Sequence, residues 1–198
     1  PWILGATDYE QVGARWNDLC RRLKFFGMAL QCPASTLEEV PLDSVPKRIA
    51  RQSIDEPFSA AEFQSADIIA ISLRSARRQS WGLPPELGNE KHLPDWIDSV
   101  RQASGETTPI SIELPMGVDS RTIEMVASTK IDILSFVAEP TTTEEITVET
   151  LARTRSILHE HSMSTLPIEV RSSHADPEHL IKLVGLGASL VAVDGVLE

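Results

Sequence analysis

Three acidic side chains stand at or just beyond the ends of apolar runs that have the composition of buried strands. They are Glu113, Glu139 and Asp194. If these runs are parallel strands, their carboxyl ends meet at one edge, where the sites of barrel enzymes lie. A ring of carboxylates there could bind a divalent cation or a cationic ligand. Solvated loop carboxylates are the commoner alternative, and we predict no metal site.

A second group of polar residues follows the run Ile168–Val170. Arg171 and His174 come next, and Asp176 lies two residues further on. An acid–base or metal-binding role for His174 is one interpretation. The simpler interpretation makes Asp176 the N-cap of a helix and His174 a solvated loop residue. We therefore assign no catalytic residue. Trp81 lies in a polar loop, and is the aromatic residue most suited to contact a ligand or partner.

Composition excludes several classes of function. The 198 residues carry a formal net charge of −11, which disfavours nucleic acid and anionic membrane surfaces as partners. No apolar stretch approaches the roughly 20 residues of a membrane span.

Cys20 and Cys32 fit no C-x-x-C pattern and cannot hold a zinc ion or an iron–sulfur cluster unaided. We expect two reduced thiols in a cytoplasmic protein. Because the chain begins at Pro1, we expect other domains of a larger chain as possible partners.

Short apolar runs alternate with amphipathic helical patterns along the whole chain. We predict one domain over residues 1–198, with seven strands: Trp2–Ala6, Gly27–Cys32, Asp67–Leu73, Pro109–Leu114, Ile131–Val137, Leu166–Val170 and Ser189–Val193. The predicted helices are Val12–Phe26, Val45–Gln52, Ala60–Phe63, Asp95–Ala103, Asp119–Ser128, Thr147–His161 and a segment from Asp176 to about Val184. Strict alternation indicates right-handed βαβ units with a parallel sheet. It fits an open doubly wound sheet and a (β/α)₈ barrel equally well.

Several segments, in order, resemble the FMN-binding domain of glutamate synthase. They are Pro1–Tyr9, Arg48–Ser59, Ile68–Gly82, Leu93–Val137, Leu151–Leu158 and Ile168–Val193. The resemblance covers nearly the whole chain, and it favours the barrel over the open sheet. It implies a TIM-type (β/α)₈ barrel with seven strands visible, incomplete at the C-terminus because the family's eighth strand would lie beyond the chain.

The same resemblance implies where a flavin would bind. Glu113 stands where the family has a Lys beside the reduced flavin, and a carboxylate there would repel the flavin anion. Arg78 falls near the position of another family Lys. Arg171 precedes Ser172 and Ser173, which replace a phosphate-binding Gly pair. We take Arg78, Glu113, Arg171, Ser172 and Ser173 as degenerate cofactor-binding positions.

The resemblance and these losses together give two functional expectations. The first is a glutamate synthase-like homologue that has lost flavin chemistry, a pseudoenzyme or scaffold domain that binds no FMN. The alternative is an active FMN-dependent oxidoreductase of the glutamate synthase type, acting in glutamate and nitrogen metabolism.

Overall fold

Eight parallel strands form a closed barrel in the computed structural model, which describes residues 2–4, 29–33, 47–57, 60–84, 92–172 and 176–193. The strands are β1 Trp2–Leu4, β2 Ala29–Pro33, β3 Lys47–Ser53, β4 Ile68–Ser72, β5 Ile110–Pro115, β6 Ile133–Val137, β7 Ile168–Ser172 and β8 Leu190–Val193. They pair in sequence order, and β8 pairs with β1 to close the ring. The barrel prediction is confirmed, and the open sheet is excluded.

The predicted number of strands was wrong. Lys47–Ser53 is a strand that pairs with β2 and β4, whereas the sequence had suggested a helix over Val45–Gln52. The barrel therefore closes with eight strands inside this chain. The strand that the prediction lacked is β3, and not an eighth strand beyond the C-terminus. The segment does not look like a buried strand in the sequence, because polar residues interrupt its apolar ones. In the structure the polar Arg48 and Gln52 are buried together with Ile49 and Ala50.

Five helices are described, and their bounds lie within three residues of the predicted ones where both exist. They are α1 Ala60–Gln64, α2 His92–Ser104, α3 Ser120–Ser128, α4 Glu144–Glu160 and α5 Pro177–Gly185. Side chains cap three of them. Asp119 accepts a hydrogen bond from Thr122 N, Thr143 accepts one from Ile146 N, and Asp176 accepts from His179 N ahead of α5. The helix predicted over Val12–Phe26 lies outside the described residues, as does Cys20.

The outward side chains of the strands are apolar, and the inward side chains include many polar residues beside a small apolar cluster. Outward side chains such as Ile112, Leu134 and Val170 pack with the helices in the main hydrophobic core and are fully buried. Ser72 is aligned with Glu113, Glu113 with Ser135 and Ser135 with Glu169 in the strand registers. Aligned residues of a parallel sheet point to the same side, so these polar side chains share the lumen. Bulky branched residues fill the usual barrel interior, and this lumen departs from that rule.

Candidate site in the barrel lumen

Glu113 lies at the centre of the lumen, with only 1% of its surface exposed. Its carboxylate receives groups from three other strands. Arg51 Nε donates to Oε2 at 2.8 Å, Gln31 Nε2 donates to Oε1 at 2.9 Å, and Arg171 Nη2 forms an ion pair with Oε1 at 3.0 Å. Contacts among non-neighbouring strands must pass through the barrel interior. The three charged residues come from β3, β5 and β7, the alternate strands that share one layer in such barrels.

This charged layer lies near the carboxyl ends of its strands. Arg51 and Glu113 are each two residues from the end of their strand, and Arg171 is one residue from the end of β7. The layer therefore faces the end of the barrel where catalytic and binding sites form. The side chain of Arg51 is 30% exposed, against 4% for Arg171. Arg51 is thus the described member of the layer that reaches the mouth.

Burial alone would raise the pKa of the Glu113 carboxyl by penalising its charged form. The positive charges of Arg171 and Arg51, with hydrogen bonds from Arg51 and Gln31, outweigh that effect and lower the pKa to about 2. Glu113 is consequently a permanent anion at neutral pH. A carboxylate held ionised by two guanidinium groups is a poor general base. Its evident role is to hold the two arginines in place.

The rim beside Arg51 is built by the turns that follow β3 and β4. Asp55 accepts hydrogen bonds from Ser53 Oγ at 2.6 Å, Ser75 Oγ at 2.5 Å and Ala76 N at 3.0 Å. Burial opposes ionisation of this carboxyl, yet the donated hydrogen bonds lower its pKa well below the ordinary range. The two turns are therefore tied together, and they present a fixed edge next to the lumen.

A second bond links loops across the end of β5. Trp81 Nε1 donates to Glu139 Oε1 at 2.9 Å, which connects the loop after β4 to the loop after β6. Trp81 thus contacts a neighbouring loop, and the proposed contact with a ligand or partner stays a prediction. This bond also accounts for Glu139, which the sequence had offered as a member of a carboxylate ring.

The carboxylate ring does not form among the described residues. Glu113 is ion-paired to two arginines, Glu139 is bonded to Trp81, and Asp194 lies outside the described part of the chain. No group of three or more potential metal ligands occurs in the residues that the structure describes. Likewise, none of the described helices is long and apolar enough to cross a membrane.

The structure separates the five predicted cofactor-binding positions. Glu113 and Arg171 meet in the lumen. Ser172 points to the opposite side of β7, where its Oγ lies 3.4 Å from His179 Nε2 at the wall of a cavity of about 180 Å³ between β7, α4 and α5. Arg78 hydrogen-bonds through its backbone N and Nε to Ser75 Oγ in its own loop. Ser173 lies outside the described residues, as does His174.

Arg51 and Gln31 were not predicted as site residues. Arg51 was overlooked because its segment had been taken for a helix. With β3 recognised as a strand, the two-residue period places Arg51 on the same side as Ile49. Ile49 belongs to a small lumen cluster with Ala70 and Ala192. Pairing with Glu113 across the barrel would still have required the fold.

Comparisons with known proteins support the fold and not the predicted family. No protein-family model and no curated protein matches this chain. The HpcH/HpaI aldolase of Desulfitobacterium hafniense DCB-2 superposes with a TM-score of 0.60 at 12% identity, over 98% of this chain and 86% of the aldolase. A candidate deoxyribose-phosphate aldolase of Coccidioides immitis gives 0.66 at 13% identity, over 96% and 78% of the two chains. A flavocytochrome b2 variant with sulfite bound superposes with a TM-score of 0.61 at 13% identity, over 98% of this chain and 56% of the flavocytochrome.

The resemblance to glutamate synthase was therefore wrong, and so were both functions drawn from it. The first structures in this comparison are aldolases, and none of those reported is a glutamate synthase. Apolar strands followed by small residues and a capped helix recur in every parallel barrel, because each βα unit imposes the same pattern. The flavin-site assignment of the five positions loses that basis. The absence of bound FMN stays a prediction.

Proposed function

We propose that the mouth of this barrel binds a small anionic molecule, carrying a carboxylate or a phosphate, and that Arg51 contacts it. The observation that carries the proposal is the composition of the charged layer: two guanidinium groups share the single carboxylate of Glu113. Within this layer two positive groups face one carboxylate, and the other buried lumen carboxylate, Glu169, lies two residues deeper than Arg171 on β7. The positive group nearest the mouth belongs to a protein whose net charge is −11. Burial of charged groups is costly and concentrates at functional sites.

The donors of Arg51 that remain available support the same conclusion. Nε is bonded to Glu113, and Nη2 lies 3.5 Å from Ser72 Oγ. Nη1 makes no hydrogen bond to any described residue. A guanidinium offers five N–H donors in a planar fork that matches carboxylate and phosphate oxygens. With Nε anchored by a buried anion, the outer edge of this fork is pre-oriented toward the mouth.

The groups around Glu113 explain why the orientation of Arg51 would persist. Glu113 is held from the other side by Arg171 and Gln31, so the carboxylate cannot turn away to follow a displaced Arg51. A ligand then meets a guanidinium whose conformational entropy is already reduced, which improves affinity. Asp55 on the rim accepts hydrogen bonds from three donors, which fix its carboxylate in the turn and away from rotation into the mouth.

The similar structures agree with this ligand class without establishing the reaction. The name deoxyribose-phosphate aldolase specifies a phosphate-bearing sugar as that protein's substrate. Schiff-base cleavage of a carbon–carbon bond would need a lysine at the site. Among the described lysines, Lys47 lies at the opposite end of the barrel, paired with Asp67, and Lys130 and Lys182 lie on the surface. The proposal is therefore anion binding and does not extend to aldol chemistry.

Calorimetric and NMR titrations with inorganic phosphate, glycerol phosphate and malonate test the proposal. We expect binding of at least one of these anions, and no binding of uncharged glycerol. Substitution of Arg51→Gln should weaken the affinity about tenfold to a hundredfold, the usual effect of removing a charge-assisted hydrogen bond.

The matched control is Arg153→Gln, because Arg153 pairs with Glu149 on the exposed face of α4. This variant should bind as the native protein does. Equal affinity in the Arg51 and Arg153 variants would overturn the proposal, as would equal binding of glycerol.

A further inference from the structure

Three buried side-chain oxygens in the lumen have no hydrogen-bond partner among the described protein groups. They are Gln31 Oε1, Ser111 Oγ and Ser135 Oγ. Each residue is at most 1% exposed, and the three come from β2, β5 and β6. Buried polar groups are nearly always hydrogen-bonded to protein or to ordered water. Three such atoms in one small region therefore call for a common partner.

The strand registers place these atoms below the charged layer, toward the amino ends of the strands. Ser111 precedes Glu113 by two residues on β5, and so faces the lumen from deeper in the barrel. Gln31 is aligned with Ile49, two residues before Arg51, and Ser135 is aligned with Glu113. Because alternate strands supply successive layers, Gln31 on β2 and Ser135 on β6 belong to the layer immediately beneath Glu113.

The same region is lined by the buried carboxylate of Glu169, which is aligned with Ser135, and by two small side chains. Ala70 on β4 and Ala192 on β8 are buried in the lumen cluster, at 3% and 0% exposure. The remaining even-numbered strands thus contribute alanines where barrels generally carry Val, Ile or Leu. Small side chains beside hydroxyl and amide groups favour buried water, which needs polar partners and space for its own volume.

We propose that the layer beneath Glu113 is a closed hydration site, in which ordered water bridges Gln31 Oε1, Ser135 Oγ and Ser111 Oγ. The Gln31 amide gains from it directly. Its Nε2 donates to Glu113 at 2.9 Å, so its Oε1 is turned away from the carboxylate, and a water donating to Oε1 holds the amide in that orientation. Gln31 is then a positioning residue for Glu113 from below, and the water is a structural part of the charged layer's support.

A high-resolution crystal structure of the ligand-free protein tests the site directly. We expect ordered water within hydrogen-bond distance of Ser135 Oγ and Gln31 Oε1, and its loss in an Ala70→Val variant that fills the layer. Water-to-amide NOE measurements should give the same result in solution, with residence long enough to be detected in the native protein. Absence of water at this layer in the native crystal structure overturns the proposal, whatever the stability measurements give.

Thermal unfolding of Ser111→Ala, Ser135→Ala and the double variant adds a second readout. A dry layer predicts a higher Tm for each variant, because an unpartnered buried hydroxyl is removed. A hydrated layer predicts a Tm that falls by about 2–4 °C, and effects in the double variant that do not add because the water is shared. The control is Ser99→Ala, whose exposed hydroxyl donates to Asp95 O within α2. Anion binding plays no part in these measurements, so they succeed or fail independently of the proposed function.

Discussion

Arg51 on β3 and Arg171 on β7 approach one carboxylate from opposite sides of the lumen. Arg51 Nε lies 2.8 Å from Glu113 Oε2, and Arg171 Nη2 lies 3.0 Å from Oε1. Strands that never pair with one another are thereby joined through the barrel centre. Such buried ion pairs contribute little net stability relative to apolar packing, yet breaking one by removing a partner is costly. The arrangement thus makes Glu113 the residue on which the charged layer depends.

Substitution of Glu113→Gln should destabilise the protein by about 3–5 kcal/mol at neutral pH. The amide keeps the size of the carboxylate but removes the charge that neutralises Arg51 and Arg171, and at least one buried guanidinium then lacks a counterion. Urea unfolding followed by circular dichroism measures the change in the free energy of unfolding.

The comparison variant is Glu149→Gln, which removes the exposed carboxylate partner of Arg153 on α4. Exposed pairs of this kind contribute less than about 1 kcal/mol, so this variant should unfold close to the native midpoint. If Glu113→Gln were as mild as Glu149→Gln, the lumen ion pairs would not have the energetic role assigned to them.

Stability should fall steeply in acid because of the same carboxylate. The pKa of Glu113 is lowered from 4.5 to about 2 in the folded protein. The unfolded chain therefore takes up the proton first as pH falls, and proton binding favours unfolding. The contribution of Glu113 is complete above pH 4.5 and is lost progressively between about pH 4.5 and 2. It amounts to about 3 kcal/mol at about 1.4 kcal/mol per unit of pKa. Urea unfolding at a series of pH values from 7 to 3 measures the slope.

Asp55 contributes in the same direction, because hydrogen bonds from Ser53, Ser75 and Ala76 lower its pKa against the effect of burial. Measuring Glu113→Gln and Asp55→Asn in parallel separates the two carboxyls. Each variant should show a shallower decline of stability with falling pH than the native protein. An unchanged acid slope in Glu113→Gln would show that this carboxyl is not ionised within a stabilising pair.

Local chemistry predicted the helices and failed for one strand. Asp119 and the pair Asp176 and Pro177 identify helix starts, because an N-cap side chain bonds to backbone groups of the next few residues. β3 has no such local signal. Its Arg51 and Gln52 are satisfied by Glu113, 62 residues away, and by backbone carbonyls of the turn after the strand. Pairing with β2 and β4 determines the conformation of this segment, and the short-range pattern of apolar residues does not predict that pairing.

The site was predicted in part, and for a mistaken reason. Glu113 and Arg171 were identified as positions of a flavin site, whereas the structure joins them to each other. Their strand positions follow from the two-residue period. The meeting of β3, β5 and β7 in one layer follows only from barrel closure, which sequence patterns did not distinguish from an open sheet.

Two glycines at the end of α5 should respond to alanine in opposite ways. Gly187 has φ of +104°, and a Cβ there would lie 2.9 Å from Arg155 Nε. Arg155 also donates to the carbonyl of Gly187, so an added methyl group strains the backbone and displaces that guanidinium. Gly187→Ala should therefore lower the free energy of unfolding by about 1–2 kcal/mol.

Gly185 is the matched control, because it ends α5 and a Cβ at this position would meet nothing within 4 Å. Its φ lies outside the left-handed region. Gly185→Ala should raise the free energy of unfolding by about 0.5–1 kcal/mol, since alanine loses less backbone entropy on folding. Thermal and urea unfolding of the two variants give the comparison. Equal changes in the free energy of unfolding for the two variants would contradict the assignment of Gly187 to a left-handed turn packed against Arg155.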